Sequence, residues 1–72
     1  MKRVAVLLAD GFEEIEALAP VDLLRRAGVE VFTVGEEIVK GSRNISVVTD
    51  KRVSDFLQEC ESQGLPDAVI IP

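Results

Sequence analysis

The sequence predicts an α/β chain in which helices cover both faces of a doubly wound, mostly parallel sheet. Three observations carry this expectation. RVAVLLA (3–9) is a continuous apolar run rather than an alternation, as a strand covered on both faces is, and VEVFTV (29–34) and AVIIP (68–72) have the same β-branched character. Between them lie two segments bounded by helix start and stop signals, EEIEALAPVDLLRRAG (13–28) and VSDFLQECESQG (53–64). With right-handed crossovers, this order places the first strand between the second and the last.

Taken in order, MKRVAVLLADG superficially resembles an export signal, but the apolar run Val4 to Ala9 is too short and no small-residue cleavage site follows. It reads as a strand. In the first helix, Glu13, Glu14 and Glu16 suit the positive end of the dipole, Arg25 and Arg26 suit the last turn, and Gly28 is a stop. Pro20 has no N–H for the carbonyl of Glu16, so the helix is expected to be distorted there. Gly35 ends the second strand, and EEIVKGSRNISVVTD (36–50) reads as two short strands around a Lys40 to Asn44 turn. Gly64 and Pro66 end the second helix. There is no internal repeat, low-complexity tract or linker. The last strand calls for neighbours and a covering helix. Residues 1–72 are therefore expected to be the amino-terminal portion of a single domain of about 150 to 200 residues, and not to be stable as a monomer alone.

The chain has 72 residues, 47% of them hydrophobic, which fits at most one small globular domain. Cys60 has no partner for an internal disulfide, and without histidine a structural zinc site is not available. No cofactor is expected: a flavin or dinucleotide fold needs a phosphate cradle after the first strand, and DGFEE would repel phosphate. A response-regulator receiver needs a phosphoacceptor aspartate where Pro72 stands. A net charge of -5 with eight scattered basic residues argues against a nucleic-acid partner, and no stretch is long enough to span a membrane. The lone thiol suits a reducing compartment, so a cytoplasmic location is expected. Asn44-Ile45-Ser46 matches a glycosylation acceptor, which has no meaning without export.

In such sheets ligands bind outside the carboxyl ends of the strands, at the switch of strand order. That places Gly11 to Glu16 at the candidate site, with Gly11 a candidate substrate-binding residue. Spacing alone gives Glu13 and Glu14 a structural role at the helix start, and would make Glu16 a solvated side chain. Cys60 reads as a packing residue, because Glu59 and Glu61 flank it and a thiolate is disfavoured beside carboxylates. Neither Ser42 nor Ser46 has a histidine base. The first helix has two apolar faces, one with Ile15, Ala19, Leu23 and Ala27, the other with Leu18, Val21 and Leu24. One is expected on the sheet and the other, tested through Val21, on a second subunit, giving a homodimer.

RVAVLLADGFEEIEALAPVDLLRRAGVEV, followed by GSRNISVVTD and DAVIIP, closely resembles the start of the ThiJ/PfpI family of the class I glutamine amidotransferase-like superfamily. Its most specific parts are G-x-E-E-x-E, then P-V-D-x-x-R-R-A-G on an apolar helix, then S-R, then an apolar strand ending in proline. The resemblance implies a flavodoxin-like, usually dimeric domain whose nucleophilic cysteine sits on a strained strand-to-helix turn further along, often near a histidine. It implies that Glu16 is the catalytic glutamate that hydrogen-bonds this cysteine. It also implies that Arg26 and Arg43 lie near the substrate pocket, one of them reaching across the dimer. The match departs at Gly41, where several members carry cysteine. The implied function is a cysteine-dependent enzyme of glyoxalase/deglycase or hydrolase/peptidase type, acting on a small molecule or a peptide-like bond. The alternative is a non-catalytic redox-stress sensor or chaperone on the same fold.

Overall fold

The strand β1 (Arg3–Leu7) buries Val4, Ala5 and Val6 from both sides at once, which is why its sequence is apolar without alternation. It lies at the centre of the computed structural model, which describes residues 2–72. The elements that follow are α1 (Glu14–Arg26), β2 (Glu30–Gly35), β3 (Ile38–Lys40), β4 (Ser46–Val48), β5 (Lys51–Arg52), α2 (Val53–Gln63) and β6 (Ala68–Ile70). The main sheet has the order β5-β2-β1-β6, and every pairing in it is parallel. The first strand thus lies between the second and the last, with Val4 opposite Val31 on one side and Ala68 on the other. The hairpin β3–β4 is antiparallel and forms a separate small sheet around the expected turn.

The strand β5 is an addition that no apolar pattern announces, since its two residues are Lys51 and Arg52. Asp50 brings it to the sheet. Its carboxylate accepts from the Thr33 N–H at 2.9 Å and the Thr33 hydroxyl at 3.1 Å, and its own N–H donates to that hydroxyl at 2.9 Å.

The helix α1 covers one face with Ala17 and Val21, packed with Val4, Val6, Val31 and the hairpin's Val39. Val21 is only 8% exposed, so it belongs to the sheet side and not to the outward face on which it was expected. The outward face instead carries Ile15 and Leu23, 74% and 64% exposed. The helix runs unbroken through Pro20. It ends as expected at Gly28, with φ 84°: the Gly28 N–H donates to Arg25 O at 3.1 Å and the Val29 N–H to Leu24 O at 3.0 Å, the two bonds of a Schellman stop.

The helix α2 covers the opposite face more thinly, through Phe56 tilted against Phe32 at 5.9 Å and beside Ala5 and Val34. An ionic clasp completes this contact. Glu59 accepts from Arg3 at 2.7 Å and from Lys51, whose ammonium lies 3.9 Å above the Phe32 ring. The Lys51 hydrogen bond, with help from Arg3, holds the Glu59 carboxyl below its ordinary range although its desolvation opposes ionisation.

Candidate functional site

After β1 the chain turns away from the sheet through Leu8, Ala9, Asp10 and Gly11. Gly11 takes φ 90°, a left-handed conformation that side chains resist, and this lets the chain fold back toward α1. The turn is tied to the hairpin twice: the Gly11 N–H donates to Lys40 O at 2.8 Å, and the Lys40 N–H donates to the Asp10 carboxylate at 3.0 Å. A cavity of about 270 Å³ opens here, lined by Leu7 to Phe12 on one side and Ile71 and Pro72 on the other. It lies at the carboxyl ends of β1 and β6 and is slightly smaller than the roughly 300–1,000 Å³ of typical ligand pockets. A neighbouring cavity of about 260 Å³ lies across Asp10, toward Gly35, Val39 and Val53.

The acid of the helix start divides three ways. Glu13 occupies the cap position without a side-chain cap bond. Glu14 is buried, 5% exposed, and turns toward the hairpin loop. Its carboxylate accepts from the Arg43 N–H at 2.8 Å, the Ile45 N–H at 3.4 Å and the Ser42 hydroxyl at 3.3 Å. Burial opposes ionisation of Glu14, but its own backbone N–H and those of Arg43 and Ile45, with the Ser42 hydroxyl, outweigh it and hold the carboxyl below its ordinary value. Glu16 is exposed, and Pro20 leaves its carbonyl without the usual donor.

Of the residues singled out in the sequence, Gly11 lines the cavity, while Glu16 in α1 and Arg43 in the hairpin turn are not among its lining residues. Both side chains are exposed. Arg26 is not brought to this end. It stands in the last turn of α1, about 15 Å along the axis from Glu16 at 1.5 Å per residue, paired with Asp22 at 3.0 Å. Glu14 is the residue whose long-range role sequence reasoning missed. Its spacing from Ala17 and Val21 follows the buried face of the helix, and that signal marks it as inward-facing.

Residues 2–72 match the DJ-1/PfpI family. The chain belongs to this family. A Parkinson disease protein 7 homolog of Danio rerio is 39% identical over 74 residues, covering 99% of this chain and 37% of that protein. Protein/nucleic acid deglycase 2 of Escherichia coli is 35% identical over 74 residues, covering 99% of this chain and 41% of that protein. The structure of oxidized DJ-1 from Toxoplasma gondii superposes with a TM-score of 0.83 at 39% identity, over 100% of this chain and 38% of that one. The DJ-1/PfpI chain described here therefore spans about 40% of the length of these relatives. Its parallel sheet, with helices on both faces, is that part of the DJ-1 fold.

Proposed function

We propose that this chain is the amino-terminal portion of a single DJ-1/PfpI domain that works as a cysteine-dependent enzyme of glyoxalase/deglycase or hydrolase/peptidase type. The observation that carries the reading is the cavity at the switch of strand order, bounded on one side by the Gly11 turn and on the other by the residues that follow β6. The similarity to a protein named as a deglycase supports it. In this reading the nucleophilic cysteine comes from beyond Pro72. Glu16, in its protonated form, donates a hydrogen bond to the sulfur, stabilising the thiolate and giving up or regaining a proton during turnover. Gly11 lets the substrate approach the backbone, and Arg43 holds its polar end. Arg26 reaches a site only from a second subunit, which goes with a homodimer formed through the exposed Ile15 and Leu23 face of α1. The substrates are small aldehydes, glycated groups or peptide-like bonds. A cytoplasmic location fits the chemistry; among the described residues no helix is long and apolar enough to cross a membrane.

The test is iodoacetamide alkylation of the complete protein across pH, with Glu16→Gln and Glu16→Leu beside the wild type. Glutamine keeps a donor and is expected to leave much of the reactivity. Leucine removes it and is expected to move alkylation to higher pH. Superimposable curves for wild type and Glu16→Leu would remove Glu16 from the site. A reactive cysteine without turnover of methylglyoxal, glycated amine or peptide would favour the redox sensor over the enzyme.

A further inference from the structure

We infer that Glu14 is a positioning residue: its buried carboxylate gathers the turn between β3 and β4 and thereby sets where the Arg43 guanidinium stands at the candidate site. The inference rests on the proposed role of Arg43 in holding substrate, and it names the group that places this arginine.

Three features of the turn support it. First, all three partners of the carboxylate from the loop are donors: the N–H groups of Arg43 and Ile45 and the Ser42 hydroxyl. An ionised carboxylate offers only acceptors, so donor and acceptor inventories match. Second, the turn is built around this group. The Gly41 N–H donates to Ile45 O at 2.9 Å, the Asn44 N–H to Gly41 O at 3.0 Å, and Asn44 takes φ 69°, which asparagine tolerates better than most residues. The Ser42 N–H donates to Phe12 O at 2.8 Å, so the same loop is held on both sides of the carboxylate. Third, Gly41 is shaped to it: a Cβ there would stand 2.3 Å from Glu14 Oε2 and 2.5 Å from its carboxyl carbon. Glu14 and Gly41 are both buried, so one of them has to move if position 41 gains a side chain.

Arg43 has its main chain fixed by this carboxylate while its side chain is exposed. Misplacing the turn moves the guanidinium without removing it. That distinguishes positioning from contact, because the effect of losing Glu14 then depends on whether Arg43 is present.

The experiment uses the complete protein with Glu14→Ala, Glu14→Gln, Gly41→Ala and Arg43→Ala, and the double variant Glu14→Ala/Arg43→Ala. Amide hydrogen exchange at Arg43 and Ile45 is read first. Turnover of 4,5-dioxopentanoate, a 2-oxoaldehyde that carries a carboxylate for Arg43, is then compared with turnover of uncharged methylglyoxal. Protection of both amides is expected to fall in Glu14→Ala and in Gly41→Ala, and to return largely in Glu14→Gln, whose amide oxygen still accepts. KM for 4,5-dioxopentanoate is expected to rise about tenfold in Glu14→Ala, as for loss of one hydrogen bond to a charged group, with kcat nearly unchanged and methylglyoxal little affected. The double variant is expected to match Arg43→Ala alone. Unchanged amide protection in Glu14→Ala, or additive effects on KM in the double variant, would overturn the inference. If the wild type turns over neither aldehyde, the proposed function fails, and the exchange data still decide: protection lost in Glu14→Ala and regained in Glu14→Gln supports the positioning role, and protection unchanged overturns it. Gly41→Ala keeps the carboxylate, so the question stays open to test even if Glu14→Ala does not fold.

Discussion

Glu14 and Glu16 are two residues apart on one helix, yet one is buried against a distant turn and the other is in solvent. The consequence for Glu14 is a pH dependence whose sign is fixed. Its folded-state carboxyl titrates below the ordinary 4.5, so the unfolded chain takes up the proton first as pH falls. The stabilisation is fully present above about pH 4.5 and is lost as pH drops through the lower folded value. Glu59 behaves the same way, for the different reason that Lys51 and Arg3 pair with it. Thermal melts of the complete protein from pH 6 to pH 3 are expected to show a steep loss of Tm below about 4.5. That loss should be shallower in Glu14→Gln and in Glu59→Gln; parallel curves for all three proteins would show that neither carboxylate contributes. The acid cluster itself is plain in the sequence. What separates its members is not, because the Glu14 partners lie about 30 residues away on the turn at 42–45, and local spacing carries no record of them.

At the scale of elements, α1 has two apolar stripes and the structure shows which one the sheet takes. Val21→Glu would put a carboxylate among Val4, Val6 and Val31, at a cost of several kcal/mol, and is expected to abolish cooperative unfolding. Leu23→Glu lies on the exposed stripe and is expected to leave the melt of a monomer unchanged. In light scattering on the complete protein it should lower the mass if that stripe is the subunit contact; an unchanged dimer mass would place the contact elsewhere. On the other face, Phe56→Ala removes the ring that α2 sets against Phe32 and is expected to destabilise by about 2 kcal/mol, measured by urea unfolding. Both helices and the strands β1, β2 and β6 are legible in the sequence because their signals are local: apolar runs, charge at the correct helix ends, and glycines at the stops. The strand β5 is not legible, since a lysine and an arginine become a strand only because Asp50 is held by Thr33, a contact between distant residues. The assignment of Val21 fails for a related reason: two stripes on one helix look alike until the sheet chooses between them.

At the scale of the molecule, β6 pairs, among the described residues, with β1 alone, and its own Val69 and the neighbouring Leu65 and Ile71 are exposed. An apolar edge of this kind invites association with other chains. Residues 1–72 on their own are expected to bind hydrophobic dye and to melt broadly or aggregate; a sharp, reversible two-state melt of the monomer would show that this surface is tolerated. The sheet order also bears on biosynthesis. The pairing of β1 with β6 is closed by Arg3 and Asp67, whose bond spans 64 positions of the chain. At about 5–20 residues per second, the ribosome delivers the outer neighbour of β1 roughly 3 to 13 seconds after β1 itself. Throughout that interval the strand that buries Val4, Ala5 and Val6 has one edge unoccupied, open to capture by a chaperone or by another nascent chain.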